Sequence, residues 1–101
     1  MSSKNKKIGV LGGGQLGKMI AEAANQLGYY TVLYCPKGDN PAQKYVDEYI
    51  DGYWEDLKKL EIFGSKVDVV TSEFENVPAK TLNFLSKMTK VYPSCQSFSI
   101  A

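Results

Sequence analysis

The chain has 101 residues and a formal net charge of +1, with 44% hydrophobic and 23% charged residues. This composition is typical of one soluble globular domain and excludes a disordered chain, and the balanced charge provides no basic field for nucleic acid. The chain contains no His, which excludes a His-based triad, an imidazole base and a His metal ligand. No stretch approaches the roughly 20 apolar residues of a membrane-spanning helix.

The first third of the sequence predicts two strands joined by a helix. Residues 8–11 form a short apolar run typical of a buried parallel strand. Apolar residues then recur at helical spacing and predict one buried stripe: Leu16, Met19, Ile20, Ala23, Ala24 and Leu27. Gly28 is placed to end this helix in a left-handed cap, and the β-branched and aromatic residues 30–34 predict a second strand.

The middle of the sequence is a loop followed by short elements. Residues 36–41 are a loop by composition, with a helical turn near residues 42–45 and a brief strand around residues 49–51. A helix is predicted over residues 54–63 and is ended by Gly64.

The last part of the sequence continues the alternation of strands and helices. A strand is predicted over residues 67–71, and Pro78 begins a helix in its first turn. That helix is expected to carry three apolar side chains inward: Leu82, Leu85 and Met88. A last short strand covers residues 91–92. The element order β-α-β-(β)-α-β-α-β predicts an α/β fold with a doubly wound, mostly parallel, Rossmann-like sheet.

The glycines that follow the first strand match the pattern G-x-G-x-x-G. Gly12 permits a tight turn, Gly14 lets a ligand approach the backbone, and Gly17 lets the helix pack closely on the strand. The N–H groups of the first helical turn favour an anionic or electron-rich ligand. A purely structural turn without a ligand is the alternative.

A dinucleotide is one ligand that this glycine pattern suggests. Such sites carry Asp or Glu at the end of the second strand, where this chain has Cys35, followed by Pro36. Asp39 lies further along the loop. An NADP site favours Arg, which the chain lacks, so Lys37 would have to replace it. An NAD(P)-binding module therefore stays open as an alternative.

A second polar feature follows the strand predicted over residues 67–71. Glu73 and Glu75 would point to the same side in strand geometry. In a doubly wound sheet this strand lies across the switch point from the first strand, and ligands bind in that crevice. We therefore expect residues 12–16 and 73–76 to line one cleft. Solvated carboxylates that interact with the dipole of the next helix are the alternative.

Three motifs occur in order along the chain: GGGQLGKM at residues 12–19, DNPA at 39–42 and EFENVP at 73–78. Together they resemble the N-terminal domain of 5-(carboxyamino)imidazole ribonucleotide synthetase, the ATPase subunit of phosphoribosylaminoimidazole carboxylase, in the ATP-grasp superfamily. The resemblance runs from about residue 7 to the end of the chain. The related glycinamide ribonucleotide transformylase typically has Glu where this chain has Gln15.

The resemblance implies a ligase of purine biosynthesis that joins bicarbonate to the exocyclic amine of aminoimidazole ribonucleotide, with carboxyphosphate as the intermediate. It implies that Gly14, Gln15 and Leu16 bind the ribonucleotide at the glycine turn, and that Glu75 binds it across the cleft. ATP and Mg²⁺ would be held by further domains of the parent enzyme. We therefore expect this chain alone to hold no cofactor or metal and to contribute no catalytic residue.

Residues 1–101 are accordingly interpreted as a single N-terminal pre-ATP-grasp domain without the ATP-grasp and C-terminal domains, inactive by itself. The parent is expected to be cytoplasmic, with reduced Cys35 and Cys95, and to form a homodimer.

The family often has Asp in place of Cys35 and Tyr in place of Ser72, so the resemblance does not define this part of the pocket wall. A non-catalytic interaction domain is the further alternative.

Overall fold

The computed structural model describes residues 6–38, 40–72 and 77–92. The elements in chain order are β1 (Lys7–Leu11), α1 (Gln15–Gln26), β2 (Tyr30–Cys35), a 3₁₀ helix (Pro41–Tyr45), β3 (Glu48–Asp51), α2 (Leu57–Lys66), β4 (Val69–Ser72), α3 (Ala79–Ser86) and β5 (Lys90–Tyr92). The strands form one parallel sheet in the order β3-β2-β1-β4-β5. The predicted doubly wound α/β fold is confirmed. Among the helices in these residues, none is long and apolar enough to cross a membrane.

The strand order reverses at β1, which pairs with β2 on one side and with β4 on the other. Leu11, the last residue of β1, is in register with Tyr34 and with Ser72. Because the carboxyl ends of parallel strands meet at one edge of the sheet, the chain leaves β1 and β4 side by side. This edge contains the crevice in which ligands of such sheets bind.

Apolar side chains cover both faces of the sheet. On the α2 and α3 face, the Tyr34 ring packs against Trp54 and Phe63, with ring centroids 5.9 Å and 5.4 Å apart. On the opposite face, a smaller cluster around Val10 and Leu33 packs against Ile20 of α1. Burial of each large apolar side chain contributes about 1.5–3 kcal/mol, so these two layers fix the sheet between its helices.

The apolar stripe predicted for α1 is only partly buried. Met19 and Leu27 are 62% and 65% exposed, contrary to the expectation that both pack in the core. The buried residues of α1 are instead small: Gly17, Ala21 and Ala24. Small side chains let the helix approach the sheet closely, and this orientation leaves the larger side chains on the flank. The predicted close packing at Gly17 is consistent with its burial.

The turn after α1 is as predicted. Gly28 has a φ of +86°, in the left-handed region that favours glycine. Its N–H donates to the carbonyl of Asn25 at 3.0 Å, and the N–H of Tyr29 donates to the carbonyl of Ala24 at 3.0 Å. These bonds satisfy carbonyl groups at the helix end and direct the chain into β2.

The prediction for α2 is wrong at both ends. The helix begins later than predicted, after Asp56, whose carboxylate accepts a hydrogen bond from the N–H of Lys59 at 3.2 Å and caps the helix. Gly64 does not end the helix but lies inside it. A Cβ at this position would approach Leu85 and Met88 to 3.1 Å. Gly64 therefore allows α2 and α3 to pack closely.

The inward face of α3 is shorter than predicted. Leu82 and Leu85 are buried, whereas Met88 is 39% exposed. The helix ends at Ser86, so Met88 lies in the following turn and no longer follows the helical period.

Candidate functional site at the switch point of the sheet

The glycine turn, residues 12–14, joins β1 to α1. Gly12 has a φ of +99°, which an L-residue adopts only with strain. Its N–H donates to the carbonyl of Tyr34 at 3.1 Å, so the hydrogen bonding between β1 and β2 continues into the turn. The tight turn predicted at Gly12 is confirmed.

Gly14 is the N-cap of α1 and has extended backbone angles, with a φ of −78° and a ψ of −163°. Its carbonyl accepts the first helical hydrogen bond, from the N–H of Lys18 at 2.9 Å. Gly14 has no side chain of its own with which to cap the helix, and the first turn of α1 contains no acidic residue. The positive end of the helix dipole is therefore not neutralised from within α1.

Gln15 and Leu16 are the first two residues of α1 and both are exposed, Leu16 to 39%. The structure thus brings the predicted residues of the turn together at the carboxyl edge of the sheet. An amide side chain, an apolar side chain and the helix N–H groups lie there within one helical turn. Their contact with a ligand stays a prediction.

Gly13 has a role that the sequence analysis missed. A Cβ built on Gly13 would lie 2.7 Å from Cβ and Oδ1 of Asn40, closer than atoms pack. The N–H of Ala42 also donates to the carbonyl of Gly13 at 3.1 Å. The pattern G-x-G-x-x-G treats this position as variable. The only sequence signal for this contact was the DNPA motif, which contains Asn40. The motif alone does not show that Asn40 packs against the turn, because that contact depends on tertiary structure.

Ser72 ends β4 on the other side of the crevice. Its side chain is buried, with the residue 2% exposed, and within the described part of the chain its Oγ has no hydrogen-bond partner. The next residues, 73–76, include the predicted Glu73 and Glu75 and lie outside the described residues. The structure therefore confirms that β4 ends beside the glycine turn, and the position of Glu75 stays a prediction.

Cys35 ends β2, where a dinucleotide site would carry a carboxylate. Cys35 is buried, and its carbonyl accepts a hydrogen bond from the Tyr49 hydroxyl at 3.3 Å. Burial, together with the charges around the hydroxyl, raises the pKa of Tyr49 to about 12, so this tyrosine is a neutral hydrogen-bonding group at physiological pH. Asp39, the other acidic candidate, lies outside the described residues.

A polar cleft of about 410 Å³ opens next to the glycine turn, lined by Gly38, Asn40, Gln43 and Lys44. It leaves space at the carboxyl edge for a polar group, and Lys44 supplies a positive charge there. Over residues 6–38, 40–72 and 77–92, no three His, Cys, Asp or Glu side chains group together as metal ligands.

A parallel sheet with a glycine turn and a helix N-terminus at its switch point defines a Rossmann-like ligand-binding domain. Residues 5–101 match the family model of the ribonucleotide synthetase preATP-grasp domain. The chain belongs to this family, and the relationship expected from the three motifs is confirmed.

Curated relatives agree with the family match. The chain is 39% identical over 93 residues to N5-carboxyaminoimidazole ribonucleotide synthase of Staphylococcus aureus, covering 92% of the chain and 25% of that protein. It is 44% identical over 95 residues to the Pseudomonas aeruginosa protein of the same name, covering 94% of the chain and 26% of that protein. The chain thus spans about a quarter of the length of these relatives.

Solved structures show the same fold. N5-carboxyaminoimidazole synthetase from Staphylococcus aureus superposes with a TM-score of 0.83 at 39% identity, over 91% of this chain and 25% of that one. The synthase from Aspergillus clavatus, solved in complex with ADP and 5-aminoimidazole ribonucleotide, gives a TM-score of 0.76 at 32% identity, over 93% of this chain and 25% of that one.

Proposed function

We propose that this chain is the ribonucleotide-binding N-terminal part of a ligase that carboxylates the exocyclic amine of aminoimidazole ribonucleotide with bicarbonate, at the expense of ATP. The observation that carries the proposal is the position of the N-terminus of α1, which follows the glycine turn directly at the switch point. The family match and the Aspergillus clavatus complex with aminoimidazole ribonucleotide support the choice of ligand.

Each residue of the turn has a distinct task in this proposal. Gly14 has no Cβ, so the ligand reaches the backbone, and the N–H groups that begin α1 donate to its electron-rich atoms. The Gln15 amide offers both a donor and an acceptor, and Leu16 provides an apolar contact for the imidazole ring. Glu75 accepts hydrogen bonds from N–H or O–H groups of the ligand across the crevice.

The chemistry of ATP belongs to other parts of the parent enzyme in this proposal. ATP with Mg²⁺ would activate bicarbonate there, and the residues of this chain bind and orient the amine that attacks it. Over residues 6–38, 40–72 and 77–92 no cluster of metal ligands occurs, and the proposal assigns no step at these residues to Mg²⁺. A cytoplasmic location and a homodimeric parent, both implied by the family, are parts of the same proposal.

Calorimetric titration of the chain with aminoimidazole ribonucleotide tests the binding role. Gln15→Ala and Glu75→Gln should each weaken the affinity by about tenfold. The first removes the hydrogen-bonding amide, and the second replaces the charged carboxylate acceptor with a neutral amide. Gln26→Ala is the matched control for Gln15, because both glutamines are exposed on α1. Glu61→Gln, on the exposed side of α2, is the control for Glu75. If both site variants bind as tightly as their controls, the proposal is wrong.

An activity assay tests the division of labour. The chain incubated with ATP, bicarbonate and aminoimidazole ribonucleotide should release no ADP, because the proposed ATP site lies elsewhere in the parent. Release of ADP that depends on the ribonucleotide would show that this chain carries the catalytic groups itself.

A further inference from the structure

Asn40 connects the loop after β2 to the 3₁₀ helix at the carboxyl edge of the sheet. Its Nδ2 donates to the carbonyl of Pro36 at 3.1 Å, and its backbone carbonyl accepts a hydrogen bond from the N–H of Gln43 at 3.0 Å. Asn40 is therefore fixed by the loop after β2 and by the 3₁₀ helix that it precedes.

This fixed side chain lies directly against the glycine turn. The atoms Cβ, Cγ and Oδ1 of Asn40 would all come within 2.8 Å of a Cβ on Gly13. The N–H of Ala42, two residues later, donates to the carbonyl of the same glycine. Gly13 is thus held by van der Waals contact on one side and by a hydrogen bond at its carbonyl.

The same segment is attached to α1 further along the helix. The Lys18 ammonium lies 5.3 Å from the centroid of the Tyr45 ring, and the side-chain amide of Asn25 donates to the Tyr45 carbonyl. The segment at residues 40–45 therefore packs along α1 from the glycine turn to the last turn of the helix.

We propose that Asn40 is a positioning residue for the ribonucleotide site, acting through Gly13. Three consecutive glycines have more backbone freedom than any other tripeptide, and ordering them on binding would cost conformational entropy. The contact between Asn40 and Gly13 removes that freedom beforehand and sets the direction of the N–H groups that begin α1. The role of Asn40 in affinity rests on the proposed function.

A cycle of substitutions separates the contact from the hydrogen bonds of Asn40. Gly13→Ala should weaken ribonucleotide binding at least tenfold, because the added methyl group displaces the turn. Asn40→Gly removes all three contacting atoms, so the double variant Gly13→Ala, Asn40→Gly should bind more tightly than Gly13→Ala alone. The double variant Gly13→Ala, Asn40→Ala keeps the Cβ atom of residue 40, so its affinity should not recover above that of Gly13→Ala alone. Asn83→Ala, at an exposed asparagine of α3, is the control and should leave the affinity unchanged.

A second readout needs no ligand. In ¹⁵N spectra of the chain, Asn40→Ala should shift the amide signals of residues 13–16 and speed their hydrogen exchange. The amides of α3, which lies beyond β4, should stay unchanged. A merely structural role would instead lower protection evenly, α3 included.

Two results would overturn the inference. One is an unchanged set of amide signals at residues 13–16 in Asn40→Ala. The other is a double variant with Asn40→Gly that shows no recovery over Gly13→Ala, in affinity or in the amide signals of the turn. If the unaltered chain binds no ribonucleotide, the proposed function fails, and the amide signals alone then decide whether Asn40 positions the turn.

Discussion

Leu11 and Ser72 lie opposite each other in register at the ends of β1 and β4, on the two sides of the switch point. The residue after Leu11 begins the glycine turn, and the residue after Ser72 begins the acidic segment at 73–76. This pair therefore places side by side the two strand ends that precede these motifs, which are separated by some sixty positions in the sequence. The crevice of the proposed site follows from sheet order alone.

Ser72 provides the first prediction, because its buried Oγ has no hydrogen-bond partner in the described part of the chain. An unsatisfied buried hydroxyl costs about 1–3 kcal/mol, so Ser72→Ala should raise the free energy of unfolding by about 1 kcal/mol. Thr81→Val is the contrasting variant, because the buried Thr81 hydroxyl donates to the Trp54 carbonyl at 2.8 Å. It should lower stability by about 1 kcal/mol. Urea denaturation measures both, and a loss of stability in Ser72→Ala would show that its hydroxyl is bonded.

Gly12 and Gly28 provide a matched pair for backbone strain at the two ends of α1. Their φ angles are +99° and +86°. Replacing either with Ala should lower the free energy of unfolding by about 1–2 kcal/mol, because Ala is strained in this region. Only Gly12→Ala should also weaken ribonucleotide binding, since Gly28 lies at the opposite end of the helix. Equal affinities for the two variants, at similar stabilities, would argue against a site at the glycine turn.

The Tyr34 hydroxyl donates to the carbonyl of Tyr53 at 2.7 Å, and burial raises the pKa of Tyr34 from 10.0 to about 12. The neutral form is favoured in the folded state, so its contribution to stability is present below pH 10 and is lost as pH rises toward 12. Tyr34→Phe should cost about 1 kcal/mol at neutral pH and should reduce the alkaline loss of stability. Tyr92→Phe, at an exposed tyrosine, is the control. An alkaline unfolding profile unchanged by Tyr34→Phe would contradict this assignment.

Glu48 on β3 and Lys66 at the end of α2 form an ion pair, and the hydrogen bond from Lys66 lowers the pKa of Glu48 below its ordinary value of 4.5. The pair therefore contributes stability above that value, and the contribution is lost as pH falls through the lowered pKa. Both side chains are partly exposed, so Glu48→Gln should lower Tm by only a few degrees at neutral pH. The difference from the unaltered chain should vanish in acid. Thermal scans across pH measure this difference in Tm. A difference that persisted in acid would contradict the assigned ion pair.

Local signals were sufficient for most of the fold. The apolar strand, the glycines and the helical spacing that follow one another from residue 8 to Gly28 gave β1, the turn and α1, because each depends on neighbouring residues. Gly64 was misread as a helix end because the packing of α2 on α3, which requires a small residue there, is not visible in the local sequence. Met19 was misassigned for a similar reason, since the sequence does not show which side of α1 faces the sheet.

The site was predictable as far as sheet topology determines it. The switch point placed the glycine turn beside the end of β4, and the structure has this arrangement. The contact of Asn40 with Gly13 was not predictable, because it depends on how the loop after β2 folds back over the turn. The place of Glu75 stays a prediction.

The most direct test of the proposed function is to map ribonucleotide binding on the ¹⁵N spectrum of the chain. We expect saturable shifts on addition of aminoimidazole ribonucleotide, concentrated at residues 12–16 and at residues 72–77, with no matching shifts on addition of NAD. Shifts at the turn with NAD alone would indicate a dinucleotide module. Saturable shifts elsewhere, or none at either segment with millimolar ribonucleotide, would contradict a ribonucleotide site at the switch point.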